Sequence, residues 1–402
     1  MVLEGTTTRA GRYVTQPQGY KAFVPAPLPP SPPLRIGLEL AKLLSDADRA
    51  LGRLDGVATV LPNPDLFVAM YVRHEAVFSS QIEGTQSTLE DILEYEVGAE
   101  RGRPRDIEEV VNYVAAMNHG LRRLAADFPL SLRLIREVHE KLLHRVRGSE
   151  RTPGEFRTSQ NWVGSSNCLL KDADFVPPAP QDMMAALDNF ERFLHLRQGL
   201  PVLIQCGLAH AQFETIHPFL DGNGRIGRLL VTLLLCEREV LQKPLLYLSY
   251  YLKAHRAQYY DRLTAIRTDG DWEGWLRFFL RGVYEVSQTA TETARAILSL
   301  RERDRELLQG RGSGAVNSLR LLDFLFESPI ISIRAAEGHL QCSYVTARNA
   351  VEAMEDAGIL REITGQQRNR LYRFDDYLAL FDRQAIASNA ENQDNGQQLT
   401  RT

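Results

Sequence analysis

Three observations predict a mainly α-helical chain of two or three domains. Apolar residues recur at intervals of three and four from Leu34 almost to the end of the chain. That period fails between Pro153 and Pro178. Finally, Gly310-Arg311-Gly312-Ser313-Gly314 has the composition of a linker, and a shorter helical pattern follows it. Of the 402 residues 44% are hydrophobic, enough for a sizeable core. A net charge of −4 argues against bulk nucleic-acid affinity but leaves room for a local basic face. Cys168, Cys206, Cys236 and Cys342 lack metal-like spacing, and Cys206 and Cys236 read as reduced core residues. No basic-then-apolar leader opens the sequence and no apolar run is long enough to span a bilayer, so the expectation is a cytoplasmic protein with no membrane contact.

Residues 1–34 read as a proline-rich extended arm lying on the next domain. Residues 35–100 form an N-terminal helical region. Its first helix runs through Leu38, Leu43 and Leu51 towards Gly56, and its second spans 64–84 with Gly84 as a natural C-cap. Glu83 falls four residues after Ser79 on one helical face. A carboxylate there opposes the helix dipole, so it needs a cationic partner. Ser87-Thr88-Leu89-Glu90 reads as a capping box for a short helix towards Tyr95. A core over 101–308 follows, opening with helices at about 106–126 and 132–145; His139 on the second reads as a satisfied core histidine. Between Pro153 and Pro178, short extended runs around Gly164-Ser165-Ser166-Asn167 predict a β-hairpin that must lean on the bundle. Helices resume at 181–196 and 202–213.

The next twelve residues carry the chemistry: His217-Pro218-Phe219-Leu220-Asp221-Gly222-Asn223-Gly224-Arg225-Ile226-Gly227-Arg228. They read as a loop entering a helix N-terminus. Gly222 and Gly224 can adopt dihedrals closed to other residues, so successive N–H groups can converge on one anion. The helix adds its unpaired donors and the positive end of its dipole. Arg225 and Arg228 lie one turn apart and can face a polyphosphate. Asp221 is suited to holding Mg²⁺, and His217 has the side chain best matched to proton transfer near neutral pH. The spacing is neither a Walker loop nor a dinucleotide-binding glycine fingerprint.

This run resembles the signature of Fic proteins, H-P-F-x-D-G-N-G-R-x-x-R, with every specified position present. The resemblance implies a Fic-type helical bundle that uses ATP to transfer AMP to a Ser, Thr or Tyr hydroxyl of a target protein. It implies His217 as base and Asp221 as Mg²⁺ ligand, with Gly222, Asn223 and Gly224 as phosphate cradle. Arg225 would bind phosphates and Arg228 the terminal one, with Gly227 between them. Ser79 to Gly84 is similar to the family's inhibitory pattern S/T-x-x-x-E-G/N, which implies that Glu83 pairs with Arg228 and keeps the γ-phosphate out of place. The hairpin over 155–178 resembles the family's flap, which aligns a target segment by strand addition; Gly164 and Ser165 are expected near the nucleotide. Tyr259 or Tyr260 is expected at the adenine. By the same resemblance, removal of AMP, transfer of another phosphate-containing group, and a homodimer remain open.

Asp271 starts a long amphipathic helix to about Leu308, and 309–315 is the linker. Residues 316–383 then read as three helices and a hairpin turning at Gly365 to Asn369, a winged helix-turn-helix. Were it to bind DNA, Ser343, Tyr344, Thr346, Arg348 and Asn349 would face the major groove and Arg368 and Arg370 the phosphates. The domain has no lysine and its acids outnumber its arginines, so protein docking is an equal reading, and a nucleotide-sensing transcriptional regulator is the rival function. The tail 384–402 is polar and is expected to be disordered.

Overall fold

The computed structural model describes residues 9–59, 64–98, 106–164, 168–310 and 315–381. They fall into two compact units, one of Met1–Asp55, Val72–Ser87 and Pro104–Ser287, the other of Gly56–Tyr71, Thr88–Arg103 and Gln288–Thr402.

The first unit opens with strands β1 (Gly11–Thr15) and β2 (Lys21–Pro25), an antiparallel hairpin with Tyr13 opposite Phe23. The arm predicted as merely extended therefore contains a hairpin. Ala22 and Phe23 are fully buried, and burial is what holds so short a hairpin. Helices α1 (Leu38–Thr59) and α2 (Pro64–Ile82) follow; α1 runs through Gly56, where the sequence suggested a stop. Next comes α3 (Leu89–Glu96), which lies in the second unit. Its capping box sits one residue later than predicted: Thr88 Oγ1 accepts from the Asp91 N–H at 3.2 Å, and the Asp91 carboxylate accepts from the Thr88 N–H at 2.7 Å. Ser87 instead donates to Asp106 at 2.6 Å.

The bundle consists of α4 (Ile107–Ala125), α5 (Leu132–Leu142), α6 (Pro180–Leu194), α7 (Val202–Ile216) and α8 (Asn223–Glu237), completed by α9 (Ser249–Ala254), α10 (Arg256–Asp269) and the start of α11 (Trp272–Gln309). Nearly every residue of α7 and α8 is buried, so this pair forms the centre of the core rather than an amphipathic surface. Gln205 on α7 donates to the Phe193 and Leu196 carbonyls at 2.7 and 3.0 Å, closing the end of α6. Glu75 is buried between α2, α4 and α9. It accepts from the Ser249 N–H at 3.0 Å and from the Ser249 and Tyr113 hydroxyls, and burial pushes its carboxyl up to about 7.

Between α5 and α6 the predicted β-hairpin is reduced, among the described residues, to one antiparallel bridge, Val163 to Phe175, with a 3-10 turn at Leu170–Asp172. Pro177 and Pro178 lack N–H donors, so pairing cannot extend past Val176. Val176 uses its carbonyl differently: the Phe23 N–H of β2 donates to it at 2.9 Å. Ser165, Ser166 and Asn167 lie outside the described residues.

In the second unit, α12 (Ala315–Leu325), β3 (Ile330–Ser332), α13 (Ile333–Leu340), α14 (Tyr344–Asp356), β4 (Arg361–Glu362) and β5 (Leu371–Arg373) form a three-helix unit with a three-stranded sheet in the order β3-β5-β4. The strand β3 between α12 and α13 was not among the three helices and hairpin expected from the sequence. Ser332 and Ser343 cap α13 and α14 with their hydroxyls. Residues 311–314 of the linker, and the tail from 382, lie outside the described residues. Among the described residues no helix is long and apolar enough to cross a membrane.

Candidate active site

The chain leaves α7 at His217 in a left-handed conformation with φ 50°, and enters α8 from Gly222, also left-handed at φ 78°. Asn223, Gly224 and Arg225 are thus the first turn of α8 rather than its preceding loop. Asn223 ties the loop to itself: its side chain accepts from the Phe219 N–H and donates to the Phe219 carbonyl, both at 2.8 Å. His139 stacks on Phe219 at 3.7 Å and accepts the Gly154 N–H on Nδ1, which leaves Nε2 to donate to the Asp221 carbonyl at 3.0 Å. It is the satisfied core histidine expected, and it fixes the backbone of the motif.

Over the first turn of α8 lies a carboxylate of the chain itself. Arg228 Nη2 donates to Glu83 Oε1 at 2.6 Å, Arg228 Nε donates to Ser79 Oγ at 2.9 Å, and Nη2 also reaches the Ser79 carbonyl at 2.9 Å. A Cβ at Gly224 would collide with Glu83 Oε1, so the carboxylate rests directly on the N-terminal turn. It takes the guanidinium, the helix dipole and the open glycine face that would serve any other anion. Ser79, Glu83, Gly224 and Arg228 are therefore brought together at one place.

Burial would raise the Glu83 carboxyl, but the Arg228 charge and hydrogen bond outweigh it and hold the group below the usual glutamate range. With the folded value lowered, the pair's contribution is fully present above the ordinary glutamate pKa and is lost only as pH falls through the lower folded value. Mild acidification is thus expected to leave the contact intact. The ratio of Glu83→Gly to parent activity should stay constant between about pH 6 and pH 8, measured as initial rates. Ser79→Ala removes one of the two Ser79 contacts to Arg228 and should loosen the pair partially. A rise in activity of about fivefold is expected, matching one hydrogen bond of about 1 kcal/mol.

His217 is half-buried, and its Nδ1 lies 3.3 Å from the Glu214 carbonyl. A carbonyl only accepts, so Nδ1 carries the proton and Nε2 a lone pair. Burial lowers the ring to about 4, with Arg157 and Arg267 adding to the effect and Glu83 opposing it. The imidazole is therefore neutral and able to accept a proton.

Asp221 accepts the Gly222 N–H at 2.5 Å and lies 3.5 Å from Arg225, its other oxygen packed against Gly148. Among the described residues no three His, Cys, Asp or Glu side chains converge as a metal cage. A Mg²⁺ at Asp221 would rely on one carboxylate, substrate phosphates and water, which suits this ion. Arg225, 2% exposed, pairs with the buried Glu109 at 3.1 Å, while its Nε has no hydrogen-bond partner. It is a buried ion pair here rather than an open phosphate ligand.

Tyr259 is 1% exposed, and its hydroxyl bonds to His210 at 2.8 Å within an aromatic cluster that includes Trp275. The expectation that either tyrosine could meet the base is corrected accordingly: Tyr259 is a core residue, and only Tyr260, 36% exposed, offers a face. Gly164 packs against Cys168, and Ser165 lies outside the described residues. Gly227 packs against Glu214, a carboxyl that the sequence reading overlooked. Burial pushes Glu214 up to about 7, and its Oε1 is buried without a hydrogen-bond partner. Its signal was a lone acid ending an otherwise apolar helix.

In the second unit, Ser343, Tyr344, Arg348 and Asn349 are exposed on α14, and Arg368 and Arg370 on the wing. Tyr344, Arg348, Arg368 and Arg370 line a groove of about 1020 Å³ together with Arg334, Glu94 and Glu352. Arg348 is paired with Glu352 at 2.7 Å.

Fold and site together define a helical bundle organised around a helix N-terminus that carries the chain's own Glu83 carboxylate, with a neutral histidine at its edge. Comparison with known proteins gives that class its family. Residues 41–122 match the Fic/DOC family N-terminal model and residues 129–235 the Fic/DOC family model. The chain thus carries a Fic/DOC family N-terminal region and a Fic/DOC family domain over those residues. It is 33% identical over 216 residues to protein adenylyltransferase Fic of Aedes aegypti, covering 52% of this chain and 39% of that protein. It is 31% identical over 202 residues to the protein of the same name from Drosophila grimshawi, covering 49% of this chain and 38% of that one. The matches thus span well under half the length of these relatives. The crystal structure of a Fic family protein from Desulfovibrio desulfuricans G20 aligns with a TM-score of 0.55 at 22% identity, over 85% of this chain and 97% of that one, and shares the fold.

Proposed function

We propose that the chain is a protein adenylyltransferase that moves AMP from ATP to a hydroxyl of a target protein and is restrained by Glu83. The observation that carries this reading is the Glu83 carboxylate on Gly224 and Arg228, an internal anion in a site shaped for phosphate. The names of the relatives support the same activity.

His217 Nε2 takes the proton of the acceptor hydroxyl as its oxygen attacks the α-phosphorus. The bond from that phosphorus to the bridging oxygen breaks, and pyrophosphate leaves. The N–H groups of the α8 first turn neutralise charge on the phosphates, and Arg228 receives the terminal one once Glu83 withdraws. Phosphate oxygens near His217 oppose the Arg157 and Arg267 charges, which raises the ring's proton affinity when it is needed. Asp221 would hold a Mg²⁺ bound with the nucleotide, and that ion would supply further neutralisation of the triphosphate. Tyr260 is the residue we assign to the adenine. For the C-terminal groove, the Glu94 and Glu352 charges beside Arg334 and Arg368 favour docking of a protein segment over duplex DNA.

Labelling a cell lysate in the presence of the Glu83→Gly protein tests the activity. Protein-bound label from α-³²P-ATP above that of the lysate alone, with no increase from γ-³²P-ATP, is the expected result. An increase from the γ-position alone, or from neither, would overturn the assignment.

A further inference from the structure

Arg157 is buried, 2% exposed, and faces no carboxylate in any ion pair among the described residues. Its side chain binds backbone carbonyls instead. Nε donates to His217 O at 2.9 Å, Nη1 to Ser159 O at 3.2 Å, and Nη2 to Pro178 O at 2.6 Å and Ile216 O at 3.4 Å. The Arg157 N–H donates to Pro218 O at 2.9 Å. A guanidinium taken out of water without a counter-charge is unfavourable, and burial pulls this one down to about 10. A site that keeps it there makes use of its five donors in fixed geometry, which no lysine reproduces.

The acceptors fall at two functional places. Ile216 and His217 are the end of α7 and the base itself. Ser159 and Pro178 stand at the two feet of the segment that carries the Val163–Phe175 bridge. Asn161 adds a second donor from the same segment, reaching His217 O at 3.3 Å and Phe219 O at 2.8 Å. The His217 backbone is left-handed, a conformation that a β-carbon disfavours and that its surroundings must therefore impose. Two side chains of the flap's base supply that constraint.

We propose that Arg157 is a positioning residue that locks the feet of the target-docking flap to the backbone of His217, so that seating a target and aiming the imidazole are one adjustment. This rests on the reading of His217 as the base for AMP transfer. A residue that only stabilised the loop would, when replaced, lower the folded fraction and leave the kinetics of folded molecules alone. Positioning lowers turnover in molecules that still fold and bind ATP. A second readout follows from charge. The groups facing His217 are the Glu214 backbone carbonyl on α7, the Glu83 carboxylate after α2, and the guanidinium groups of Arg267 on α10 and of Arg157. Loss of the Arg157 charge therefore lets the ring titrate higher.

The test compares Arg157→Lys and Arg157→Gln in a Glu83→Gly chain, by AMP transfer to lysate proteins at saturating ATP, ATP affinity, and NMR titration of His217. Expected is a fall in turnover of about a hundredfold in both, as for a base misplaced by about 1 Å, with ATP affinity retained. The His217 ring should titrate higher in the glutamine variant only. If the glutamine variant does not fold, the lysine variant carries the test. If neither folds, Asn161→Ala, at a half-buried position, should show the same loss of turnover with ATP binding kept. Full turnover per folded molecule, with the His217 titration unmoved, would overturn the proposal. Absence of AMP transfer by the Glu83→Gly parent would instead sink the reading beneath it, and this proposal with it.

Discussion

Glu83→Gly is expected to raise AMP transfer by about a hundredfold or more, without raising thermal stability. The rate follows from geometry. With the carboxylate on Arg228, a bound triphosphate must place its terminal phosphate elsewhere, and a shift of about 1 Å at the α-phosphorus costs on the order of a hundredfold. The stability follows from the partners left behind. Arg228 is 2% exposed and keeps Ser79 Oγ and the Ser79 carbonyl, but it loses the carboxylate it pairs with. Because the Glu83 side chain is 33% exposed, solvent screens the pair, and the loss should be on the order of 1 kcal/mol or less. Initial rates and a thermal melt check both halves. Equal rates for parent and variant would remove the brake from the account.

His217→Ala in the same background should lower transfer by about a thousandfold while leaving ATP affinity near the parent value. The imidazole is a neutral ring with Nδ1 on the Glu214 carbonyl and is not part of the α8 turn that seats the phosphates. Removing it takes away the proton acceptor without touching the anion site. Single-turnover transfer and calorimetric ATP titration separate the two effects. Loss of ATP binding along with activity would mean that the histidine shapes the nucleotide site instead.

Much of this was legible in the sequence because its signals are local. The twelve-residue motif fixes which donors share a turn, and Ser79 with Glu83 one turn on fixes which atoms a helix presents together. The bundle was legible from its apolar period, although α7 and α8 are buried all round and show little of the one-sided pattern used to find helices. What escaped depended on distant partners. Nothing near Arg225 in the chain announces that Glu109, on α4, neutralises it. Arg157 reads as an ordinary loop arginine until four carbonyls from three places converge on it. Tyr259 and Tyr260 are neighbours with opposite fates because helical rotation sends one into the aromatic core and the other outward. The N-terminal hairpin was hidden in a proline-rich stretch whose strands are stabilised by burial of Phe23 rather than by their own composition.

The most direct measurement is a crystal structure of the Glu83→Gly chain soaked with a non-hydrolysable ATP analogue and Mg²⁺. The account predicts the terminal phosphate on Arg228, the others along the first turn of α8 with the cation at Asp221, and His217 Nε2 facing the α-phosphorus across room for an acceptor oxygen. Phosphates bound elsewhere, or a His217 ring with no open path to the α-phosphorus, would contradict it.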